Sequence, residues 1–575
     1  MKNYFPVISC RNRAAIFILT GIMGSARLFL RAAFMLGLIA VAPGFSAHAQ
    51  NSTFDTRTAI RNAFLNDTSA ALPSDYSGID SALAFYAARD FEPAWTSDPT
   101  QRRMAQLAIR ALANAHEQGL RDENYRGDWE RTPDTTEATI RYELSLTHSV
   151  IQFARDMRLG RLRPGSVYRD AAFPEETFSA VTGLANALKN NALTRFFAGL
   201  PPPHPQYRQL TQELARYRAI EGRGGWENLP PPPGAIKLES GDPWLSLLAR
   251  RLAREDTGLF PFVLGAQELR AAIRRYQNRN GIAESGEWNE ETLAALNRPV
   301  QDRILQIEAN MERWRWLPRN FEREYIAVNV PDQSAAFVRE GRILATSKVV
   351  VGRQANTTPL TRTEITSIVV NPPWNIPSFI AARDLLPKLQ KNRRYLQSKN
   401  MVIVDGTEGD PYGLRVDWRA VTPEDFPYAI RQLPGPATAL GKLMLDSPND
   451  FDVYLHDTPN KEYFALADRG LSNGCVRVEN IFAFAALALS GEGESGGETE
   501  LKATLAKSKE TERIALKTPL PVYLLYWTVF AGEDGELNFR ADKYGRDAAL
   551  IAALAGGAAS TGAVAEGAEV EDISP

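Results

Sequence analysis

Tyr325-Ile326-Ala327-Val328-Asn329-Val330 alternates with a period of two, the pattern of a strand with one face in a core. It follows a helical run that ends in Trp314-Arg315-Trp316-Leu317-Pro318. The chain therefore changes from helical to strand periodicity at this point. Downstream, Ala335 to Glu340, Gly341, and Arg342 to Val351 read as a hairpin, and Thr366 to Asn371 as a further strand stopped by Pro372 and Pro373. Strand patterns resume near Asp452–His456 and Pro521–Phe530. Between them, Ile376 to Asp417 turns helical and polar, around Leu385-Leu386-Pro387-Lys388-Leu389. Structureless loops of roughly 60 residues are uncommon in compact domains, so this stretch reads as an insertion subdomain. Gly491 to Gly497 reads as a flexible loop, and the Ala/Gly-rich, acidic chain beyond Asp547 as a disordered tail.

Upstream the period is helical. Ser81 to Arg89, Arg102 to Leu112 and Glu143 to Leu159 carry apolar residues at three-to-four spacing. His116 and His148 are isolated in this region and read as ordinary surface or core histidines. The proline run Pro230 to Pro233 reads as a boundary. Leu245 to Arg254, Ala266 to Asn278 and Glu290 to Leu296, the last capped by Asn289, form a compact three-helix unit. The first 49 residues are expected to lie outside the fold. Basic residues precede the apolar run Ala32 to Ala42, then Pro43-Gly44 and Ala47-His48-Ala49, the pattern of a secretory signal cleaved after Ala49. An uncleaved membrane anchor is the alternative, disfavoured because the Ala32–Ala42 run is short for a spanning helix. Met23 begins a segment that is a complete signal by itself.

A net charge of −2 over 575 residues excludes a global basic field of the kind that binds nucleic acid. Of the two cysteines, Cys10 lies in the export segment, so the mature chain would hold one thiol, Cys475, and no internal disulfide. Cys475 follows Gly474 and stands two residues before Arg477, with His456 a short way upstream. In a strand over Phe451–His456, Val453 and Leu455 would face a core, and Tyr454 and His456 a cleft. The imidazole is suited to activate the thiol and to protonate a leaving amine. Backbone N–H groups at Gly474 and Cys475 are suited to hold an oxyanion. Arg477 is suited either to a substrate carboxylate or to a structural ion pair. One Cys and one His lack the ligand count for a closed metal site, and no cofactor is expected.

His456-Asp457-Thr458-Pro459 with Ser472-Asn473-Gly474-Cys475-Val476-Arg477-Val478 resembles the L,D-transpeptidase (YkuD-type) catalytic signature. Asn371-Pro372-Pro373-Trp374-Asn375-Ile376-Pro377, Arg431 to Pro436 and Ala439-Leu440-Gly441-Lys442 are similar to the long, scaffold-bearing, YcbB-like periplasmic branch. So are Phe85-Tyr86-Ala87-Ala88-Arg89, Trp95 and Gly224-Gly225-Trp226. The order Tyr276-Gln277, Gly281-Ile282, Gly286 and Thr292-Leu293 resembles the peptidoglycan-binding module, with Ser285 where Asp is usual. Asn473 stands where many members have His.

The resemblance implies a multidomain α+β chain. It would comprise a signal peptide over 1–49, a helical scaffold over 50–235 and a peptidoglycan-binding-like module over 236–300. A mainly β catalytic domain over 301–530 would follow, with a helical capping insertion over 376–436, and then a C-terminal tail over 531–575. The implied enzyme is periplasmic and joins peptidoglycan stem peptides by 3→3 cross-links, releasing terminal D-Ala. Cys475, His456 and Gly474 would do the chemistry, and Arg477, Tyr454, Ser472, Asn473 and Trp374 would bind substrate. Carbapenems would acylate the thiol, and cell-wall synthesis proteins are implied partners. Two alternatives stand beside this reading: a carboxypeptidase using water at the same site, and a wall-binding scaffold with a vestigial catalytic domain.

Overall fold

The computed structural model describes residues 56–64, 79–234, 236–256, 265–404, 409–490, 497–507, 509–532 and 535–556. The expected signal segment and alternative start, the glycine-rich loop over 491–496 and residues 557–575 lie outside the described residues. Among the described residues, no helix is long and apolar enough to cross a membrane.

The helical periodicity of the N-terminal region becomes Ile79–Ala87, Pro99–Ala113, Thr136–Leu159 and Ala180–Lys189. Asp98 starts the second of these by accepting from the Thr100 and Gln101 N–H groups, with Pro99 at the first helical position. Phe85, Trp95, Leu112, Leu146, Phe153 and Leu184 fill the core. Within it, the fully buried Glu143 accepts from Tyr86 Oη (2.8 Å), the Ala94 and Trp95 N–H groups (2.8 and 3.0 Å) and Thr96 Oγ1 (2.7 Å). Those donors offset the several kcal/mol that a buried carboxylate costs.

The three-helix unit forms as Pro243–Glu255, Ala266–Arg279 and Glu290–Leu296. Asn289 Oδ1 caps the last by accepting from the Thr292 N–H at 2.7 Å. Ser285, in place of the usual Asp, still holds the turn: its Oγ accepts from Gln277 Nε2 (3.1 Å) and the Glu287 N–H (3.2 Å).

The change of period marks the start of a ten-stranded sheet. The expected strands appear as Glu324–Asn329, Ser334–Arg339, Arg342–Gly352 and Leu360–Val370. Leu443–Asp446 pairs with Leu455–His456 on one side and with Leu360–Val370 on the other, so the sheet closes into a barrel. The long Glu512–Leu525 strand runs between Leu360–Val370 and Glu324–Asn329. Ile326, Val328, Val522 and Leu524 point into the barrel core. Their alternates Ala327, Tyr523 and Leu525 pack outward under the helices Pro205–Gly222 and Val300–Arg315. Helix Pro205–Gly222, assigned from sequence to the scaffold, thus shares a core with the barrel. Ala171–Ala172, between helices Thr136–Leu159 and Ala180–Lys189, adds in parallel to Leu360–Val370.

One expectation is corrected and another is extended. The segment from 531 is not a tail throughout: Val529–Ala531 and Leu537–Phe539 pair, and Arg546–Leu554 is a helix. Arg546, Asp547 and Leu550 are buried, and Asp547 accepts from Arg313 at 2.5 Å. Its alanine-rich composition conceals an apolar helical face that a large neighbouring core can bury. The insertion holds the expected helices, among them Leu386–Lys391 and Tyr395–Ser398, and also a three-stranded sheet of Trp374–Ile376, Ile430–Gln432 and Met401–Ile403. Strands of three residues are too short to show a period of two. The insertion has its own core of Ile380, Leu385, Leu389, Ile403, Trp418 and Ile430.

Candidate active site

Cys475 lies between the short strands Gly470–Ser472 and Val476–Val478. The parallel register sets Leu455 against Val476 and His456 against Arg477. Leu455, Val476 and Val478 enter the barrel core, so Cys475, Arg477 and His456 share the opposite face. The strand expected over Phe451–His456 shrinks to Leu455–His456. Asp452 has φ +52° and Asn449 Oδ1 accepts from the Phe451 N–H at 3.0 Å, so the preceding residues form a turn. The division of faces survives because Tyr454 keeps its ladder bond, its carbonyl accepting from the Val476 N–H at 2.9 Å.

The half-buried Cys475 is the free cysteine of the described chain. Its Sγ lies 3.7 Å from the Asp452 carbonyl oxygen. Burial pushes the thiol up, while the Tyr454 backbone N–H and the charge of Arg477 pull it down and Asp452 adds to the rise. The net direction is upward. His456 is buried, and its Nδ1 lies 2.5 Å from the Asp457 carbonyl oxygen. A carbonyl only accepts, so Nδ1 carries the hydrogen. Burial first, then Arg477, lower the imidazole to about 3. The ring is therefore neutral near pH 7, with Nε2 bare and able to accept a proton. Both shifts act in the direction of a neutral thiol and a neutral imidazole.

Arg477 lies over the Tyr463 ring, 5.6 Å from its centroid, and its Nε is buried without a partner. Among the described residues, no carboxylate pairs with Arg477. Asp457 is held from the far side: its carboxylate accepts from the Lys442 N–H (2.9 Å) and Lys461 Nζ (2.5 Å). Gly441, at φ +63°, lets it in, since a Cβ there would meet Asp457 Cβ at 2.5 Å.

Gly474 has φ +116°, a backbone region that favours glycine. Its N–H donates to Ser472 Oγ (3.1 Å), whose hydroxyl donates to the Cys475 carbonyl (2.6 Å). The Gly474 N–H is occupied within the turn, which leaves the Cys475 N–H as the oxyanion candidate. Ser472, expected against substrate, is buried, and its hydroxyl braces the Gly474–Cys475 turn. Asn473 Oδ1 accepts from Arg353 and Arg383. Tyr454 donates to Asp452 Oδ1 at 3.3 Å beside the thiol, and burial raises it to about 12. Trp374 sits half-buried against the insertion core. Sequence reasoning did not single out Thr358, whose Oγ1 donates to the Gly474 carbonyl (2.8 Å) and accepts from the Gly352 N–H (2.9 Å). Arg353, Arg383 and the carbonyl of Asp457 were also missed, and only Asp457, next to His456, carried a local signal. Among the described residues, no group of three His, Cys, Asp or Glu is placed to hold a metal ion.

Residues 323–497 match the YkuD family, described as an L,D-transpeptidase catalytic domain. The chain carries a YkuD-type catalytic domain. Residues 80–214 match a Scaffold domain, and residues 265–296 the family described as "Putative peptidoglycan binding domain". The chain is also similar to a "Putative L,D-transpeptidase" of Haemophilus influenzae, 35% identical over 244 residues. Those residues are 42% of this chain and 48% of that protein, so the match spans about half of the relative's length. Both Cys475 and His456 fall within the YkuD-type domain as matched, whereas the Glu512–Leu525 strand that completes its barrel lies beyond the match.

Proposed function

We propose that this chain is a peptidoglycan L,D-transpeptidase with Cys475 as nucleophile. The observation that carries the reading is a lone thiol sharing a strand face with a neutral imidazole whose Nδ1–H is fixed by a backbone carbonyl. In the proposed reaction the Cys475 proton passes to His456 Nε2 as Sγ attacks the carbonyl of the third residue of a donor tetrapeptide. The Cys475 N–H donates to the developing oxyanion, and the cation of Arg477 stabilises the sulfur's charge. The bond to terminal D-Ala breaks, His456 returns the proton to the leaving amine, and a thioester remains. The side-chain amine of an acceptor diaminopimelate attacks the thioester carbonyl. Its proton returns through His456 to the departing sulfur, giving a 3→3 cross-link and restoring the thiol.

The three-helix module would hold the glycan, with Tyr454 and Trp374 lining the cleft for the peptide. The signal-like N-terminus supports a periplasmic location and work alongside other wall-synthesis proteins. The test is mass spectrometry of muropeptides after incubation with a disaccharide-tetrapeptide. Free D-Ala and a 3→3 dimer are expected from the wild type and neither from a folded Cys475→Ser variant. Tripeptide without dimer would assign the site to hydrolysis, and dimer from Cys475→Ser would remove Cys475 from the reaction. A carbapenem should add once per chain, and that adduct should be absent in Cys475→Ser.

A further inference from the structure

Two guanidinium groups from separate parts of the molecule meet beside the nucleophile turn. Arg353 follows the barrel strand Arg342–Gly352, and Arg383 belongs to the π-helical turn Ala381–Leu385 of the insertion. Both donate to Asn473 Oδ1, Arg383 at 3.0 Å. Asn473 stands two residues before Cys475, and both arginines are exposed. Asp384 pairs with Arg383 at 2.6 Å. Among the described residues, no carboxylate hydrogen-bonds Arg353, which lies in the repulsive field of Arg383. Two cations against one carboxylate leave the cluster net positive. An amide oxygen gathers the two groups without neutralising them, whereas a carboxylate would accept from both through charge-assisted bonds. Arg477 is not part of this pair, since its guanidinium lies over the Tyr463 ring.

We propose that Arg353 and Arg383 form a binding site for a carboxylate of the donor stem peptide, and that this carboxylate joins the insertion to the barrel across the cleft. The inference rests on the stem-peptide transpeptidase reading given above. A donor tetrapeptide offers two side carboxylates near the scissile bond, one on its second residue and one at the far centre of diaminopimelate. Either would arrive as the anion that the pair lacks. Asn473 then acts as a placeholder that keeps the two guanidiniums aimed at one point when substrate is absent. A histidine ring nitrogen, with its single lone pair, could not receive two donors in this way.

Steady-state release of D-Ala by the full chain tests this with three synthetic donors: one with both carboxylates free, one amidated at the second residue, and one amidated at diaminopimelate. For the wild type, one amidated donor should show KM raised about tenfold with kcat within about threefold, the mark of lost binding rather than lost chemistry. Arg353→Gln and Arg383→Gln should each raise KM for the free donor by a similar factor and erase the penalty for amidation. Arg353→Lys, which keeps the charge and loses the fork, should fall between. Asn473→Ala removes the placeholder but neither cation, and should still discriminate free from amidated donor. Equal wild-type kinetics on all three donors, or arginine variants that lose kcat while still discriminating, would make the pair a structural latch and overturn the proposal. Absence of D-Ala release from every donor by the wild type would instead sink the underlying transpeptidase reading.

Discussion

Burial acts on both Cys475 and His456 in the direction that keeps the proton on sulfur. Burial raises the thiol and holds the imidazole neutral, and Arg477 lies in the field of both groups. In the proposed reaction, proton transfer would accompany attack, with Arg477 as the cation nearest the ionising sulfur. Alkylation by iodoacetamide should therefore keep rising with pH from about 6 to 9, since only thiolate reacts and little exists below the ordinary cysteine range. A rate flat with pH across that window would reveal a resting thiolate–imidazolium pair and refute this account. His456 also makes folding acid-sensitive. Its unfolded form titrates near 6.5 and its folded form near 3, so the unfolded chain binds the extra proton between these values. The associated stability is complete above the upper value and is lost as pH falls through the window.

Elements deliver these residues through backbone bonds that a single hydroxyl can break. Thr358 ties the Gly474 carbonyl to the Gly352 N–H and is fully buried. Thr358→Val keeps the shape and strands both backbone groups, at a cost of about 1–3 kcal/mol. The expected outcome is a lower melting temperature together with a fall in kcat larger than any change in KM. Unchanged kcat would mean the turn holds its form without this bond. At the start of helix Pro205–Gly222, His204 Nδ1 accepts from the Gln206 N–H at 3.2 Å, and the ring stacks on Trp314 at 4.5 Å. Burial, with Arg208 adding, lowers this imidazole to about 4. The sign matches His456: stability is lost as pH falls from about 6.5 toward that value. His204→Asn keeps a capping oxygen and removes the titration. Urea midpoints at pH 7 and pH 5 should separate less in the variant than in the wild type, by about 1–2 kcal/mol in stability. Equal separation would show that the ring does not resist protonation in the folded state.

The molecule as a whole makes the barrel depend on segments far from it in the chain. Glu512–Leu525 bonds to strands on both sides, Tyr544 Oη donates to the Gly352 carbonyl, and Arg546 pairs with Asp170. Asp170 in turn accepts from Thr357 Oγ1 at 2.7 Å, next to the threonine that holds the nucleophile turn. A fragment of residues 323–497 should therefore show no cooperative thermal transition and no thiol-dependent activity, because its barrel is open along two strands. A fragment of residues 79–556 should show both. Cooperative melting of the shorter fragment by calorimetry would contradict this dependence.

Several features of this chain were decided locally. The alternation at Tyr325–Val330, the Asn289 cap and the opposition of Leu455 to His456 depend on residues within a few positions of one another, where backbone propensity and side-chain direction act. The sequence by itself therefore determined the long helices and the main barrel strands, and which face bears Cys475 and Arg477. Other features needed the assembled molecule. Closure of the barrel rests on Leu360–Val370 meeting Leu443–Asp446, and the C-terminal helix forms part of a core supplied by distant segments. The brace made by Ser472, the neutral state of His456 and the meeting of Arg353 with Arg383 likewise appear only when remote segments exclude water and fix directions. Hydrogen-bond partners and desolvation are properties of position in space, and a one-dimensional pattern carries neither.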